Sequence, residues 1–399
     1  MKRILLSAFA CAPGYGSEPN VGWETVRQVS RCHQVWVLTH PANRPYIEKA
    51  VSEQNLSNAQ FVYLALPAWL EAIAWKSGFH QIYYMLWQWK VSRAARRLHR
   101  CIQFDIAHHV TYVNSWIAPG LVGAGLPFIW NAGTRAKTPW PFLQEMSWRE
   151  RIREINRNLA IKTIGMISAK SVQGRVKYIL SSSPQQDWGY NLPLVPFTIG
   201  GLNAAELHEL AIIPMRTAVP FRLASIGRFE GWKGFGMGLR AFARIHRIYP
   251  KSEYWLVGNG TETPYLRRLA SESGVENAVK FLPWQPRERL WQLLKEIDVL
   301  VHPSLHEQFG YVILEAMAAG RPVICVDVGG PSLLVEEEFG FKIPVSNPKQ
   351  VVDELVNALH QLITQPEKRL QMGKNARRTA LEKWSWEIVG ERLLALYER

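Results

Sequence analysis

Short apolar runs alternate along this chain with stretches whose apolar positions recur at three- and four-residue spacing, a pattern that predicts strands and covering helices in turn. The first series of runs lies at 4–10, 34–39, 61–66, 105–110, 127–130 and 178–182, with helices near 21–32 and between 69 and 100. A second series begins at 221–226 and continues through 251–257, 279–282, 298–302 and 322–326, with a helix over 237–248. Strand and helix in alternation imply parallel sheets, so the chain reads as two Rossmann-like α/β domains in tandem. The join falls between 200 and 220, where Gly200, Gly201, Pro214 and Pro220 punctuate the pattern. The tail, 355–363 and 367–399, reads as helical and holds the aromatic pair Trp384 and Trp386.

Lys2 and Arg3 followed by an apolar run have the look of a secretory leader, but the run feeds directly into Gly14 and Gly16. It reads better as a buried first strand, with a cytoplasmic location. No uncharged apolar run approaches the roughly 18 residues of a membrane span. A length of 399 residues with 47% hydrophobic and 20% charged side chains suits a globular chain of two or three domains. The four cysteines, Cys11, Cys32, Cys101 and Cys325, are scattered without metal spacing, which fits free thiols in a reducing compartment and predicts no metal site.

The net charge of +14 is unevenly spread: residues 1–200 hold 22 Lys/Arg against 10 Asp/Glu. A basic half raises nucleic acid as a partner, but no nucleic-acid-binding module accompanies it. The stretch 69–100 interleaves Trp69, Trp75, Trp87 and Trp89 with Lys76, Lys90, Arg93, Arg96, Arg97 and Arg100. Such a helix suits the surface of an anionic membrane, and equally a core-packed helix with a solvated basic end.

The densest chemistry lies in 301–344. A buried run ends at Pro303 and Ser304, a polar loop places Glu307 before Phe309 and Gly310, an Ala-rich helix carries Glu315, and the next run ends at Gly329 and Gly330. Polar groups thus gather where a helix begins, a place that favours anions such as phosphates. This string resembles the donor-site signature of the family 4 retaining glycosyltransferases of GT-B fold. The resemblance implies two Rossmann-like domains with parallel sheets facing a central cleft: an acceptor-side domain over 1–203, a nucleotide-sugar donor domain over 204–383, and a final helix over 384–399 crossing back to the first.

By that resemblance Glu307 lies beside the donor sugar and Glu315 binds the ribose hydroxyls, while the backbone of Phe309, Gly310 and Tyr311 meets the diphosphate. Arg228 and Lys233, in the loop after 221–226, match the family's cations at the leaving diphosphate; fixed cations there lower the barrier without a metal. Trp284 is expected to wall the base, and Gly16 and Ser17 to lie against the donor phosphate or sugar. The pair His108 and His109 resembles a family strand whose terminal histidine contacts donor or acceptor. The familiar version spaces its two histidines by one residue; here they are adjacent, which leaves the register open: His109 is the first choice for the reacting face, with His108 either a core histidine or on the acceptor side. Asn131 and Arg135 are expected on the acceptor side.

The implied function is a retaining, metal-independent transfer of a hexose-type sugar from a nucleotide diphosphate sugar to an acceptor hydroxyl, with no cofactor. A glycan or lipid-linked saccharide is the implied acceptor, in surface polysaccharide assembly, with peripheral contact at the inner face of the plasma membrane. Two alternatives stay open at this point: a nucleotide-sugar epimerase of the same fold, and a non-catalytic nucleotide-sugar-binding subunit.

Overall fold

The computed structural model describes residues 1–14, 16–53, 56–77, 80–183 and 186–399. Tyr15 and the side chains of Trp75 and Lys76 lie outside the described residues. Two compact units emerge: one of Met1–Arg135, Ala160–Ile199 and Trp386–Arg399, the other of Ala136–Leu159 and Gly200–Ser385. The sequence reading had one unbroken first domain to residue 203. In the structure the segment Ala136–Leu159 belongs with the second unit instead. Buried Glu150 and Glu154 find their partners there, and local periodicity carries no trace of such long-range pairing.

The first unit is built on strands β1 (Arg3–Ser7), β2 (Gln34–Thr39), β3 (Ala59–Tyr63), β4 (Ile106–His109), β5 (Phe128–Gly133), β6 (Val176–Ser181) and β7 (Leu194–Pro196). They form one sheet in the order β3-β2-β1-β4-β5-β6-β7, all parallel. Helices cover both faces of such a sheet, which is why β1, β4 and β5 are buried at consecutive rather than alternate positions. Trp87, Trp130 and Phe128 fill the core on one side. The helix Trp386–Glu398 closes this unit against the helix Ser17–Ser30, with Arg27 donating to Glu387 at 3.2 Å and Gly390 letting Gln28 pack close.

The second unit adds β8 (Phe221–Ile226), β9 (Ser252–Val257), β10 (Val279–Leu282), β11 (Val299–His302), β12 (Val323–Val326) and β13 (Gly340–Ile343). Their order is β10-β9-β8-β11-β12-β13, again parallel. Strand order reverses between β8 and β11, and ligands of open α/β sheets bind outside the carboxyl ends at such a point. The short outer strands β7 and β13 were not foreseen. Nor was the helix Ala204–Ala211 within the punctuated join, although its Asn203/Glu206 capping box is written in the sequence.

Successive side chains of β4 point to opposite faces, and both its histidines are buried. His108 Nδ1 lies 2.6 Å from the Tyr397 hydroxyl; His109 Nε2 lies 3.0 Å from Tyr84 Oη and its Nδ1 3.3 Å from Ser7 Oγ. The division into one core and one reacting-face histidine therefore does not hold. Burial pushes both imidazoles down to about 3, with His109 adding to the effect on His108. Unfolded histidines take up protons below 6.5 while these stay neutral, so the unfolded state gains stability as pH falls from there toward 3. The melting temperature is expected to drop across that range, and to drop less in His109→Gln, as followed by circular dichroism.

Candidate functional site

At the switch point of the second unit two loops meet. The loop after β8 runs through Gly227, Arg228 and Glu230 into a turn at Gly231–Lys233; the loop after β11 runs from Pro303 to Gly310. Gly234 allows the approach: its φ is 69°, and a Cβ there would sit 2.2 Å from the Pro303 carbonyl oxygen. A third loop, after β12, supports the second. Gly329, at φ 68°, lies where a Cβ would fall 2.2 Å from the Glu307 carbonyl oxygen, and that oxygen accepts the Gly330 N–H at 2.8 Å. The Gly-Gly pair read from sequence is thus the platform under Glu307.

The two predicted cations differ in standing. Lys233 is buried, ion-paired with Glu307, and lies with Nζ 4.3 Å from the centre of the Trp232 ring. The Arg228 side chain is 67% exposed and pairs with Glu230 at 3.1 Å. Burial would raise the Glu307 carboxyl, but the Lys233 ammonium and a hydrogen bond from His302 at 3.3 Å outweigh it and hold the group well below the usual carboxylate range. The site therefore keeps a partly buried anion and a buried cation side by side, and their hydrogen bonds offset the cost of desolvating them. His306, three residues beyond Pro303, stacks on Trp232 with centroids 4.4 Å apart and bonds Glu154 at 3.0 Å.

Phe309 is buried against Tyr311 and Trp384, and Gly310, at φ 90°, caps the helix Tyr311–Ala318. On that helix Glu315 is buried and accepts from Arg287 Nε at 2.7 Å, while the other branch of Arg287 pairs with Glu206. Burial raises the Glu315 carboxyl and Arg287 opposes it. Trp284, after β10, is 63% exposed.

In the first unit, Gly16 and Ser17 are exposed at the start of their helix, while Glu18 reaches across to accept the Val113 N–H at 2.9 Å and so fixes the turn at Tyr112. Asn131 and Arg135 are not free for an acceptor. Asn131 donates to the Val110 carbonyl at 2.9 Å; Arg135 is buried, donating to Ser115 O at 3.0 Å and Ile161 O at 3.2 Å, with Trp188 under its guanidinium. Arg135→Ala is expected to cost about 3 kcal/mol of stability through carbonyls left unbonded, seen as a lowered melting temperature with nucleotide affinity unchanged.

Sequence reasoning missed Arg287, His302, His306 and Glu154. The end-of-strand position of His302, matching that of His109, was the one signal available. Nothing local marks Arg287, which sits on the helix Arg287–Glu296 far along the chain from both its glutamates.

The two parallel sheets with this strand order are those of the GT-B fold. HepE from Anabaena, solved in complex with UDP-glucose, superposes with a TM-score of 0.59 at 16% identity, covering 100% of both chains. Residues 219–379 match the family model described as glycosyl transferases group 1. A D-inositol 3-phosphate glycosyltransferase of Corynebacterium urealyticum is 33% identical over 210 residues, 50% of this chain and 48% of that protein. The lipopolysaccharide core biosynthesis glycosyltransferase LpsE of Rhizobium meliloti is 31% identical over 173 residues, 43% of this chain and 48% of LpsE. The matches thus span about half the length of these curated relatives.

Proposed function

We propose that this protein transfers a hexose-type sugar from a nucleotide diphosphate sugar to an acceptor hydroxyl with retention of anomeric configuration, in surface polysaccharide or lipid-linked glycan synthesis. The observation that carries the reading is the ion pair of buried Lys233 with partly buried Glu307 at the switch point, next to a helix start and a buried glutamate. Lys233 meets the leaving diphosphate and Arg228 reaches it from the exposed side of the same loop. Two fixed cations stabilise the charge that builds up as the bond between the anomeric carbon and the β-phosphate oxygen breaks, so no metal is needed. The acceptor oxygen bonds that carbon on the face the diphosphate leaves, and its proton passes to the departing diphosphate. Glu307 positions the sugar hydroxyls and Glu315 the ribose diol, since a carboxylate accepts both hydrogens of a diol.

The acceptor end of the reading places the protein on the inner leaflet through 69–100. Trp69, Ile82, Met85 and Trp89 are exposed there, and Arg93 lies 3.3 Å from the centre of the Trp89 ring. Among the described residues no helix is long and apolar enough to cross a membrane, and the proposed contact is a peripheral one. The names of LpsE and of HepE with UDP-glucose support a sugar nucleotide and a glycan acceptor.

The test is a screen of UDP-, GDP- and ADP-sugars in chelator, with and without bacterial lipid extract. Nucleotide release that depends on the extract supports the transferase. Release without any acceptor points to an epimerase or hydrolysis, and binding without release to a non-catalytic subunit.

A further inference from the structure

The helix Trp148–Lys162 mixes arginines, glutamates and large apolar residues, and from its sequence it passes for an ordinary solvated helix. The structure sorts these side chains by face. Glu150 turns inward, accepting the Gly231 N–H at 3.2 Å and the Thr261 hydroxyl at 2.9 Å. Glu154 also turns inward, accepting the Thr138 hydroxyl at 2.6 Å and facing His306 at 3.0 Å. Both glutamates are spent inside the second unit.

The outward face keeps the remainder. Trp148 is 66% exposed, Ile152 50%, Ile155 36% and Leu159 56%. Their spacing of four, three and four residues stacks them into one stripe along the helix. Arg149 and Arg153 flank it and are exposed, with the Arg149 guanidinium 5.3 Å from the centre of the Trp148 ring. Arg153 also lies 3.4 Å from Glu230 and 3.6 Å from Glu150, while its side chain remains 55% exposed.

We propose that this face of residues 148–159 docks on an anionic lipid bilayer. An apolar stripe edged by guanidinium groups, with its acids withdrawn into the protein, has the form of a helix lying in the headgroup region: the apolar side chains enter the acyl boundary and the arginines meet lipid phosphates. Charge complementarity selects the occupant, because the exposed ionised groups of this face are cations. A second copy of the chain would bring the same cations against them. The surface lies in the second unit and is separate from 69–100, so it stands or falls independently of that contact and of the transferase reading.

The experiment is flotation of the full chain with phosphatidylcholine vesicles, with and without phosphatidylglycerol. A thiol-reactive environment-sensitive dye is placed at Ile155→Cys after Cys32→Ser and Cys101→Ser, since those two thiols are exposed. The expected result is flotation and a blue-shifted dye emission only with phosphatidylglycerol. Ile152→Ser with Leu159→Ser should reduce binding about tenfold or more, with an unchanged melting curve and unchanged nucleotide affinity. Four outcomes overturn the proposal: no blue shift, equal binding to neutral vesicles, binding that Met85→Ser with Trp89→Ser abolishes but the double serine variant does not, or a dimer in sedimentation that the double serine variant dissociates.

Discussion

Lys233→Ala is expected to lower turnover on the order of a hundredfold or more, the usual cost of removing one preorganised group that meets developing negative charge. The argument begins with the pair itself. Lys233 is buried beside Glu307, so its ammonium is already desolvated and aimed when the donor arrives, and little reorganisation remains at the moment of reaction. Arg228, proposed to meet the same diphosphate, is exposed and has Glu230 as partner, so Arg228→Ala should cost less, about tenfold. Single-turnover rates on saturating donor distinguish the two; equal and small losses would remove Lys233 from its assigned role. The variant also leaves Glu307 without its main counter-ion. In the parent protein Glu307 contributes stability that is present above about 4.5 and lost as pH falls through its lowered folded value. Without Lys233 that contribution shrinks, and thermal stability at neutral pH falls with it.

Arg287→Ala is expected to weaken nucleotide binding by about ten- to a hundredfold, the cost of disturbing a charge-assisted hydrogen-bond network around a buried carboxylate. Arg287 holds Glu315 at 2.7 Å and is itself held by Glu206, which in turn caps its own helix at Asn203. Burial pushes the Glu315 carboxyl up and Arg287 is the largest opposing influence. Once that is gone, burial acts on Glu315 without its main opponent and its carboxyl shifts further upward, and a protonated acid accepts fewer hydrogen bonds from a ribose diol. Affinity in the variant should therefore rise with pH as Glu315 loses its proton, more steeply than in the parent. Glu315→Gln should match the loss but without that pH dependence. Titration calorimetry with UDP and GDP at several pH values reads both, and a variant that binds like the parent would contradict the linkage from Arg287 to the ribose.

The strand, loop and helix that carry the expected donor residues were legible because they are local. Glu307, Gly310, Glu315, Gly329 and Gly330 fall within one strand–loop–helix–strand unit whose turns are set by neighbours close in sequence, although the partners of Glu307 and Glu315 come from other parts of the chain. Lys233 was legible for a similar reason, lying between a strand end and a helix start. The histidines were not, since adjacency on a strand puts His108 and His109 on opposite faces, and the partners that bury them, Tyr397 and Tyr84, are distant in the chain. Arg135 misled because a loop arginine reads as solvated, whereas carbonyls from Ser115 and Ile161 converge on it only after folding. The same holds for Ala136–Leu159: its glutamates read as surface charges until the loops of the second unit close around them. What sequence conveys well here is the succession of strands and the loops at their carboxyl ends; what it leaves out is which polar groups from distant parts of the chain become partners.

The most direct test of the central claim is calorimetric titration of the parent protein, Lys233→Ala and Glu315→Gln with UDP, GDP and ADP in the presence of chelator. The account predicts one-to-one binding of at least one of these nucleotides by the parent without metal, and weakening by both substitutions. Binding by none of the three, or binding that ignores both substitutions, would contradict a nucleotide diphosphate site between the β8 and β11 loops.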